Sequence, residues 1–540
     1  MSAILVFAAG IVLVALIKLW RSQSPRYLSP LRHLRGPRAQ SLLFGNFNQL
    51  SAPHQALVRE WVDEYGPNIK LHGFFSAPSL FTIDTKAIQH ILTRTADFRK
   101  PRDSLRVLSL LSGSGGLLVT EGEQHRNQRR VMNPAFGPVQ IRELMGIFLE
   151  KSLNLRDYWT GEMSKSGTQA LRTNIADGIS KMTLDVIGTA IGFNHDFDTL
   201  HADEPNEVNM AFQAIFTGPQ PRGMFQHLRR FVPIAVTKLL PMERNRKLAR
   251  SLEVMRKFGM RLIKEKKAQI ISEKNSGSVE KKDVQGRDIL SLLIKANMAS
   301  DVPDSQRLTD EEVLGQIPTF LAAGHETTAT ATGWVLYELS QHPTLQHKLR
   351  SELLSIETDS PSMEVLNELP YLDKVVREIL RLHPPVTLIN REARRDDIIP
   401  VSEPFVDANG KLQHGIEVRP GNRIFIGIAA LQTAKEIWGD DALEFRPDRW
   451  DSPPEAIAST PGVWGHLLTF LGGTRACIGC RFALVELKAL LFTLVRAFEF
   501  ELAAPPEDIQ AVGVFIQRVG LRGQDARPGL PFVIRPAKRA

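Results

Sequence analysis

Cys477 and Cys480 are the only two cysteines in 540 residues, and they set the tightest limit on what this chain can be. No long-range disulfide can be drawn from them, so the fold rests on its hydrophobic core, and a reducing compartment suits it. By itself a Cys-x-x-Cys pair admits a thioredoxin-like redox motif or half of a zinc site. A zinc ribbon needs a second pair, and the chain has none. A redox motif of that kind follows a βαβ pattern, which is missing upstream. The surroundings of Cys477 point elsewhere. Phe470-Leu-Gly-Gly-Thr-Arg-Ala-Cys477-Ile-Gly479 runs into an apolar helical segment. Gly472, Gly473 and Gly479 permit tight turns and close approach to a flat ligand. A helix entrance favours a thiolate, and Arg475 can pair with a carboxylate.

At 43% hydrophobic and 23% charged residues, the chain has the makings of a large core. Its formal net charge of +8 is unevenly placed. No acid precedes Glu60, whereas Lys18, Arg21, Arg26, Arg32, Arg35, Arg38 and Arg59 all stand before it. Taking those seven from 67 leaves 60 basic against 59 acidic residues, so the body is nearly neutral. It lacks the sustained basic tract of a nucleic-acid binder. The charged stretch Lys264 to Lys282 also carries acids and reads as a solvated helix end and loop.

Ala3 to Ile17 is an uncharged, mostly apolar run, extended past Lys18 by Leu19 and Trp20. Eighteen helical residues span ~27 Å, close to the ~30 Å of a hydrocarbon core. Lys18 can snorkel and Trp20 suits the interface. A cleaved signal peptide would carry its charges ahead of the run; here they follow it. Residues 1–20 therefore read as an uncleaved membrane anchor, with the C-terminal side in the cytosol by the positive-inside rule. Residues 21–50 are a basic, Pro-containing linker, and residues 51–540 the main body.

Along the body, His54–Tyr65 reads as a helix, Ile69–Gly73 and Ser79–Asp84 as short strands, and Lys86–Thr93 as a helix. Leu105–Thr120, rich in Ser and Gly, reads as a loop, and Glu121–Asn133 as a basic helix. Helical patterns then dominate to about residue 300, including Glu207–Phe216. Thr309-Asp-Glu-Glu312 is a capping box that opens a long apolar helix. Strands and turns follow from Val386 to Ile428, then a helix from Val485, then a strand-like tail. The class is mainly α with a minor β component.

Inside the long helix stands Ala323-Gly324-His325-Glu326-Thr327-Thr328. An acid and hydroxyls in an apolar helix are costly without partners. Threonine can bond a preceding carbonyl and bend the helix, and small Ala323 and Gly324 would let a ligand or water reach the backbone there. Pro318 is a further perturbation. Elsewhere, Glu378 and Arg381 share a helical face, and Arg449 lies in Phe445-Arg-Pro-Asp-Arg-Trp450.

Together these motifs resemble the cytochrome P-450 family. Phe470, Gly473, Arg475, Cys477 and Gly479 fill its F-x-x-G-x-R-x-C-x-G signature, and residues 323–328 match its oxygen-activating helix motif. The resemblance implies a P-450 fold after one N-terminal transmembrane helix, with haem b (iron protoporphyrin IX) held by Cys477 as axial ligand. A thiolate on haem iron donates electron density and promotes O–O cleavage. Thr327 would stabilise the oxygen species on the iron, and Glu326 would serve the proton relay. Glu378, Arg381 and Arg449 would form a structural triad. Arg129, Arg391 and His125 are expected beside the haem propionates with Arg475; His125 stands where the family often has Trp. His325 fills a variable motif position and is left unassigned.

The resemblance further implies a monooxygenase that takes electrons from NADPH through a separate membrane-bound reductase. It would insert one oxygen atom into a hydrophobic small molecule, at the cytosolic face of the endoplasmic reticulum membrane. Arg126, Arg130, Arg481 and Lys488 are expected as a basic face for the redox partner. The pocket would be lined from residues 102–120 and 208–225, Phe320, Val386–Ile389 and Val514–Gln517. Gross sequence style resembles fungal members that oxidise terpenoids or other specialised metabolites. The alternatives are a haem-thiolate isomerase or peroxygenase, which would need no Glu326–Thr327 pair, and a non-catalytic haem-binding protein.

Overall fold

Short polar side chains placed just before apolar runs decide where several helices of this chain begin. The Asp84 carboxylate accepts from the backbone N–H groups of Lys86 and Ala87, and the Asn174 side chain from that of Ala176. Thr309 and Glu312 form the reciprocal capping box read from the sequence. The computed structural model describes residues 29–50, 55–113, 115–192, 199–200, 207, 210–211, 243–273, 288–298, 303, 307–513, 516–523 and 529–538. The expected membrane anchor, most of Glu207–Phe216, and Val514 lie outside the described residues. Among the described residues no helix is long and apolar enough to cross a membrane.

In chain order the first elements are α1 (Gln55–Tyr65), β1 (Asn68–His72), β2 (Pro78–Thr82), α2 (Thr85–Thr93), β3 (Phe98–Arg99), α3 (Arg102–Ser112) and α4 (Gly122–Met132). Then come α5 (Met145–Ser166), β4 (Leu171–Asn174), α6 (Ile175–Ile191), α7 (Glu243–Glu273), α8 (Ile289–Met298), α9 (Asp310–Gln341), α10 (Pro343–Leu354) and α11 (Pro370–Leu382). The remainder is β5 (Leu388–Ala393), β6 (Asp397–Val406), β7 (Leu412–Val418), β8 (Arg423–Gly427), α12 (Cys480–Ala497), β9 (Phe498–Leu502), β10 (Ile509–Val512), β11 (Arg518–Leu521) and β12 (Pro531–Pro536). Shorter helical turns connect some of these. The result is mainly helical with minor sheet, as expected.

Contacts divide the chain into two units. The first comprises residues 1–101, 386–444 and 453–476. Its five-stranded sheet has the order β1-β2-β8-β5-β3, with β2 and β8 parallel. β6 and β7 form a separate hairpin. The core of this unit gathers Leu31, Trp61, Ile69, Leu80, Phe81, Ile91, Ile424, Ile426 and Leu468.

The second unit comprises residues 102–385, 445–452 and 477–540. Helix α9 is buried along most of its length, and α12 from Val485 to Val495. Small sheets β4-β12-β9 and β10-β11 belong to this unit. Pro318 sits inside α9 without ending it. One expectation needs correction here. Arg102–Ser112 is helix α3, not loop. Two of its three serines bond back to the helix: Ser109 Oγ donates to Arg106 O and Ser112 Oγ to Leu108 O. The chain-breaking glycines, Gly113, Gly115 and Gly116, all come after it.

The Glu378, Arg381 and Arg449 triad is present and enclosed. Glu378 and Arg381 are 0% exposed and Arg449 is 4% exposed. Arg381 Nε and Nη2 donate to the two carboxylate oxygens at 2.9 and 2.7 Å, and Arg449 Nε donates at 3.3 Å. The Trp450 indole N–H, at 3.0 Å, and the Arg446 backbone N–H, at 3.1 Å, complete the shell. Five donors on one carboxylate tie the 445–452 segment to α11. Lys488, expected on an exposed basic face, is instead buried. Its Nζ donates to Asp373 Oδ1 at 2.9 Å and to Asn367 at 3.2 Å. Its long stem lies on a helix that is otherwise core, so its charge is answered inside. Removing the central acid strands two buried guanidinium groups. Glu378→Gln is expected to cost on the order of 3–5 kcal/mol of stability, read from urea unfolding midpoints; a change under about 1 kcal/mol would contradict the buried triad.

Candidate active site

The Cys477 loop begins in tightly seated backbone. A Cβ on Gly472 would lie 1.8 Å from the Pro461 carbonyl oxygen. Gly473 has φ +68°, and a Cβ there would lie 2.6 Å from the Leu92 carbonyl oxygen. These two glycines are required by the protein's own packing. Phe470, nearly enclosed, meets the Trp464 ring edge-on at 5.8 Å. Arg475 ends a 3-10 turn over Gly473–Arg475 and is half-buried. Phe470, Gly473, Arg475 and Arg391 all belong to the first unit. Arg391 is buried in β5, where its Nη1 donates to the Asn390 carbonyl at 2.8 Å.

Cys477 and Gly479 begin the second unit's last segment, with Gly479 as the residue capping α12. Among the described residues a Cβ on Gly479 would meet nothing within 4 Å, so none of them demands glycine there. This is the space a flat prosthetic group would need beside the sulfur. Cys477 is exposed, yet the protein around it is dense enough for burial to push its thiol up. The two observations describe a sulfur lining a recess. The Gly479 N–H and the Arg129 guanidinium act the other way, favouring the thiolate. Arg129 is itself pulled down by burial and raised by Cys477, and its Nε donates to Asn133 Oδ1 at 2.8 Å. His125 is buried one turn earlier on α4.

The chemistry of these donors fits a metal-bound thiolate better than a redox pair. Redox cysteines are poised by lowered pKa values. Here both thiols are raised, Cys480 to about 12, chiefly by burial. A thiol that resists ionisation alone is deprotonated outright when it binds a metal ion. Among the described residues no group of three or more His, Cys, Asp or Glu side chains could hold a metal. Haem, as the sequence resemblance implies, fits the sulfur, the open space at Gly479 and the cation at Arg129.

On α9, Thr327 is half-buried and its Oγ1 donates to the Ala323 carbonyl at 2.6 Å, within a helix that continues unbroken. Ala323 is exposed, as a point of backbone approach should be. Gly324 has a different reason for being small: a Cβ there would lie 2.6 Å from the Ile187 side chain of α6. Glu326 is 6% exposed. Arg518 from β11 grips its Oε2 with Nε at 2.8 Å and with Nη2. Burial alone would push Glu326 up, but His325 and Arg518 outweigh it and hold the carboxyl below its ordinary range. Phe320, an expected pocket residue, is buried against Phe136 with ring centroids 5.6 Å apart.

Sequence reasoning did not find Arg518, 192 positions from its partner. It also missed Glu486 on α12. This carboxyl is 1% exposed, and neither its oxygens nor Thr328 Oγ1 makes a hydrogen bond among the described residues. Burial, slightly offset by the Thr328 hydroxyl nearby, raises it from 4.5 to about 8.

The cytochrome P450 family model matches residues 35–519. A cytochrome P450 monooxygenase 205 of Postia placenta is 50% identical over 94% of this chain and 93% of its own length. A cytochrome P450 monooxygenase 128 of the same fungus is 46% identical over 98% and 97%. A ganoderic acid synthetase of Ganoderma lucidum is 33% identical over 89% and 90%.

Glu486 makes stability depend on pH. The folded chain keeps this proton up to about 8, whereas an ordinary carboxyl loses it near 4.5. Between those values the unfolded state binds fewer protons, so stability falls as pH rises, by up to ~1.4 kcal/mol per pH unit, and the loss is complete above the folded value. Unfolding midpoints across this window should drop less steeply for Glu486→Gln than for the parent; parallel curves would contradict a neutral Glu486.

Proposed function

The chain belongs to the cytochrome P450 family and is a monooxygenase of it, and from that premise we propose that it oxidises a hydrophobic small molecule at a haem b held by Cys477. One atom of O2 enters the substrate. The electrons come from NADPH through a separate NADPH-cytochrome reductase, since the chain carries no dinucleotide fingerprint of its own. The observation that carries the reading is the environment of Cys477: a sulfur lining a recess, with the Gly479 N–H and Arg129 beside it and open space at Gly479.

When bound, the haem supplies the oxygen chemistry, and the thiolate makes its iron electron-rich. The protein's side chains supply position and protons. Arg129 and His125 in the second unit, and Arg475 and Arg391 in the first, are the residues that the family resemblance assigns to the propionates and that would pair with them. Thr327 can turn its hydroxyl from the Ala323 carbonyl toward the reacting oxygen. Glu326, held ionised beside Arg518, receives a proton and passes it on.

The substrate is a terpenoid or other specialised metabolite. The fungal relatives, among them the ganoderic acid synthetase, support that setting. The apolar run before residue 20 anchors the enzyme by one pass, with its catalytic body facing the cytosol from the endoplasmic reticulum.

Two experiments test this reading. The reduced, carbon monoxide-bound protein should show the red-shifted Soret band of a thiolate haem. Cys477→Ala should abolish that band and Cys480→Ala should keep it; the reverse would assign the wrong sulfur. Thr327→Ala, driven by reductase and NADPH, should release more hydrogen peroxide per NADPH consumed, and unchanged coupling would count against its role.

A further inference from the structure

Glu326 needs a source of protons, and its surroundings restrict what that source can be. Its carboxyl is 6% exposed, so bulk water has little direct access. The charged groups that act on it are His325 and Arg518. Arg518 occupies Oε2, and a guanidinium does not release its proton near neutral pH. The other oxygen, Oε1, lies 3.7 Å from Nδ1 of His325. That distance is too long for a hydrogen bond and short enough for a small rotation to close.

His325 is 2% exposed, and its far nitrogen, Nε2, lies 2.8 Å from Ser180 Oγ on α6. Ser180 is only half-buried. The three side chains form a line from a partly solvated hydroxyl, through an enclosed ring, to the enclosed carboxylate. Burial lowers the imidazole's affinity for a proton, with Arg518 in the same direction and Glu326 and Ser180 opposing. A ring that is neutral at rest can take a proton on one nitrogen and release one from the other.

We propose that His325 is a relay residue acting through Glu326, and that the Ser180–His325–Glu326 line is the inlet by which protons reach the oxygen-activating pair. The inference rests on the proposed role of Glu326 and Thr327. In the step, Ser180 gives its hydroxyl proton to Nε2 and takes one from water. The Nδ1 proton passes to Glu326 Oε1. The ring is left neutral with its hydrogen on Nε2, and a rotation of the side chain then presents that N–H to the carboxylate and the bare nitrogen to Ser180, ready for the next proton. One proton moves inward and no electron moves. The resting tautomer must then carry hydrogen on Nδ1, facing the carboxylate. The Ser180 carbonyl competes for a ring N–H, but an ionised acceptor makes the stronger bond.

Selective 15N-histidine labelling of the full chain tests this directly, with the His325 signals assigned by their loss in His325→Gln. The expected spectrum at neutral pH is an uncharged ring with hydrogen on Nδ1, and Ser180→Ala should shift the Nε2 signal. Hydrogen on Nε2 instead would overturn the inlet. In reductase-driven NADPH oxidation without added substrate, His325→Gln should raise peroxide per NADPH several-fold. Glu326→Gln should do the same, and the double variant should add nothing further. Ser180→Ala, a milder change on another helix, should raise it less. If Glu326→Gln raises peroxide while His325→Gln and Ser180→Ala do not, the inlet is wrong and the role of Glu326 stands. If Glu326→Gln itself changes nothing, the acid–alcohol reading fails first and the inlet falls with it, whatever the spectrum.

Discussion

A charge removed from water has to be answered within a few ångströms, and much of the second unit is arranged by that requirement. Glu378 collects two guanidinium groups, an indole N–H and a backbone N–H. Lys488 finds Asp373, and Glu326 finds Arg518. Each pairing joins segments that are distant in the chain, and each would be a liability if one member were absent. Glu486 is the exception that shows the rule. No cation meets it among the described residues, and it escapes the cost by staying protonated. One helix, α12, therefore carries both solutions, a lysine with an acidic partner and a neutral acid with no cation beside it among the described residues.

Cys477 is governed by the same electrostatics in a different form. Its sulfur receives a backbone N–H and a nearby arginine, which together fall short of offsetting burial. On the proposed assignment, haem iron is the further partner that would hold the sulfur as a thiolate. The C-x-x-C pair at first suggested sulfur chemistry between two cysteines. Burial raises both thiols, and the Gly479 N–H and Arg129 act against it at Cys477 alone of the two.

What the sequence revealed depended on distance along the chain. The capping box at Thr309 and Glu312 is local, and it stands as read. Glu378 and Arg381 are one helical turn apart and could be paired by spacing; Arg449 joined them only through family resemblance. Arg518 left no local signal, because nothing in β11 says which acid it will meet. Two readings failed for physical reasons. The serines of α3 point to a loop by composition, yet serine in a helix can satisfy itself on the preceding turn. A lysine points to a surface charge by residue type, yet the Lys488 stem lies along a buried helix and its amine meets Asp373. Gly324 was legible as small but not as the seat of Ile187.

The discontinuity of the two units has a consequence for the chain's synthesis. Strand β2 pairs with β8, more than three hundred residues later. Glu326 must wait 192 residues for Arg518. At ~5–20 residues per second, that wait lasts about 10–40 s on the ribosome. Throughout it α9 holds an acid whose partner does not yet exist, and for about the first half of it the first unit's sheet lacks its middle strand. The first unit cannot close before its last segment, ending at residue 476, has been made, and the second cannot close before residues 477–540 have followed, so the final fold is reached late.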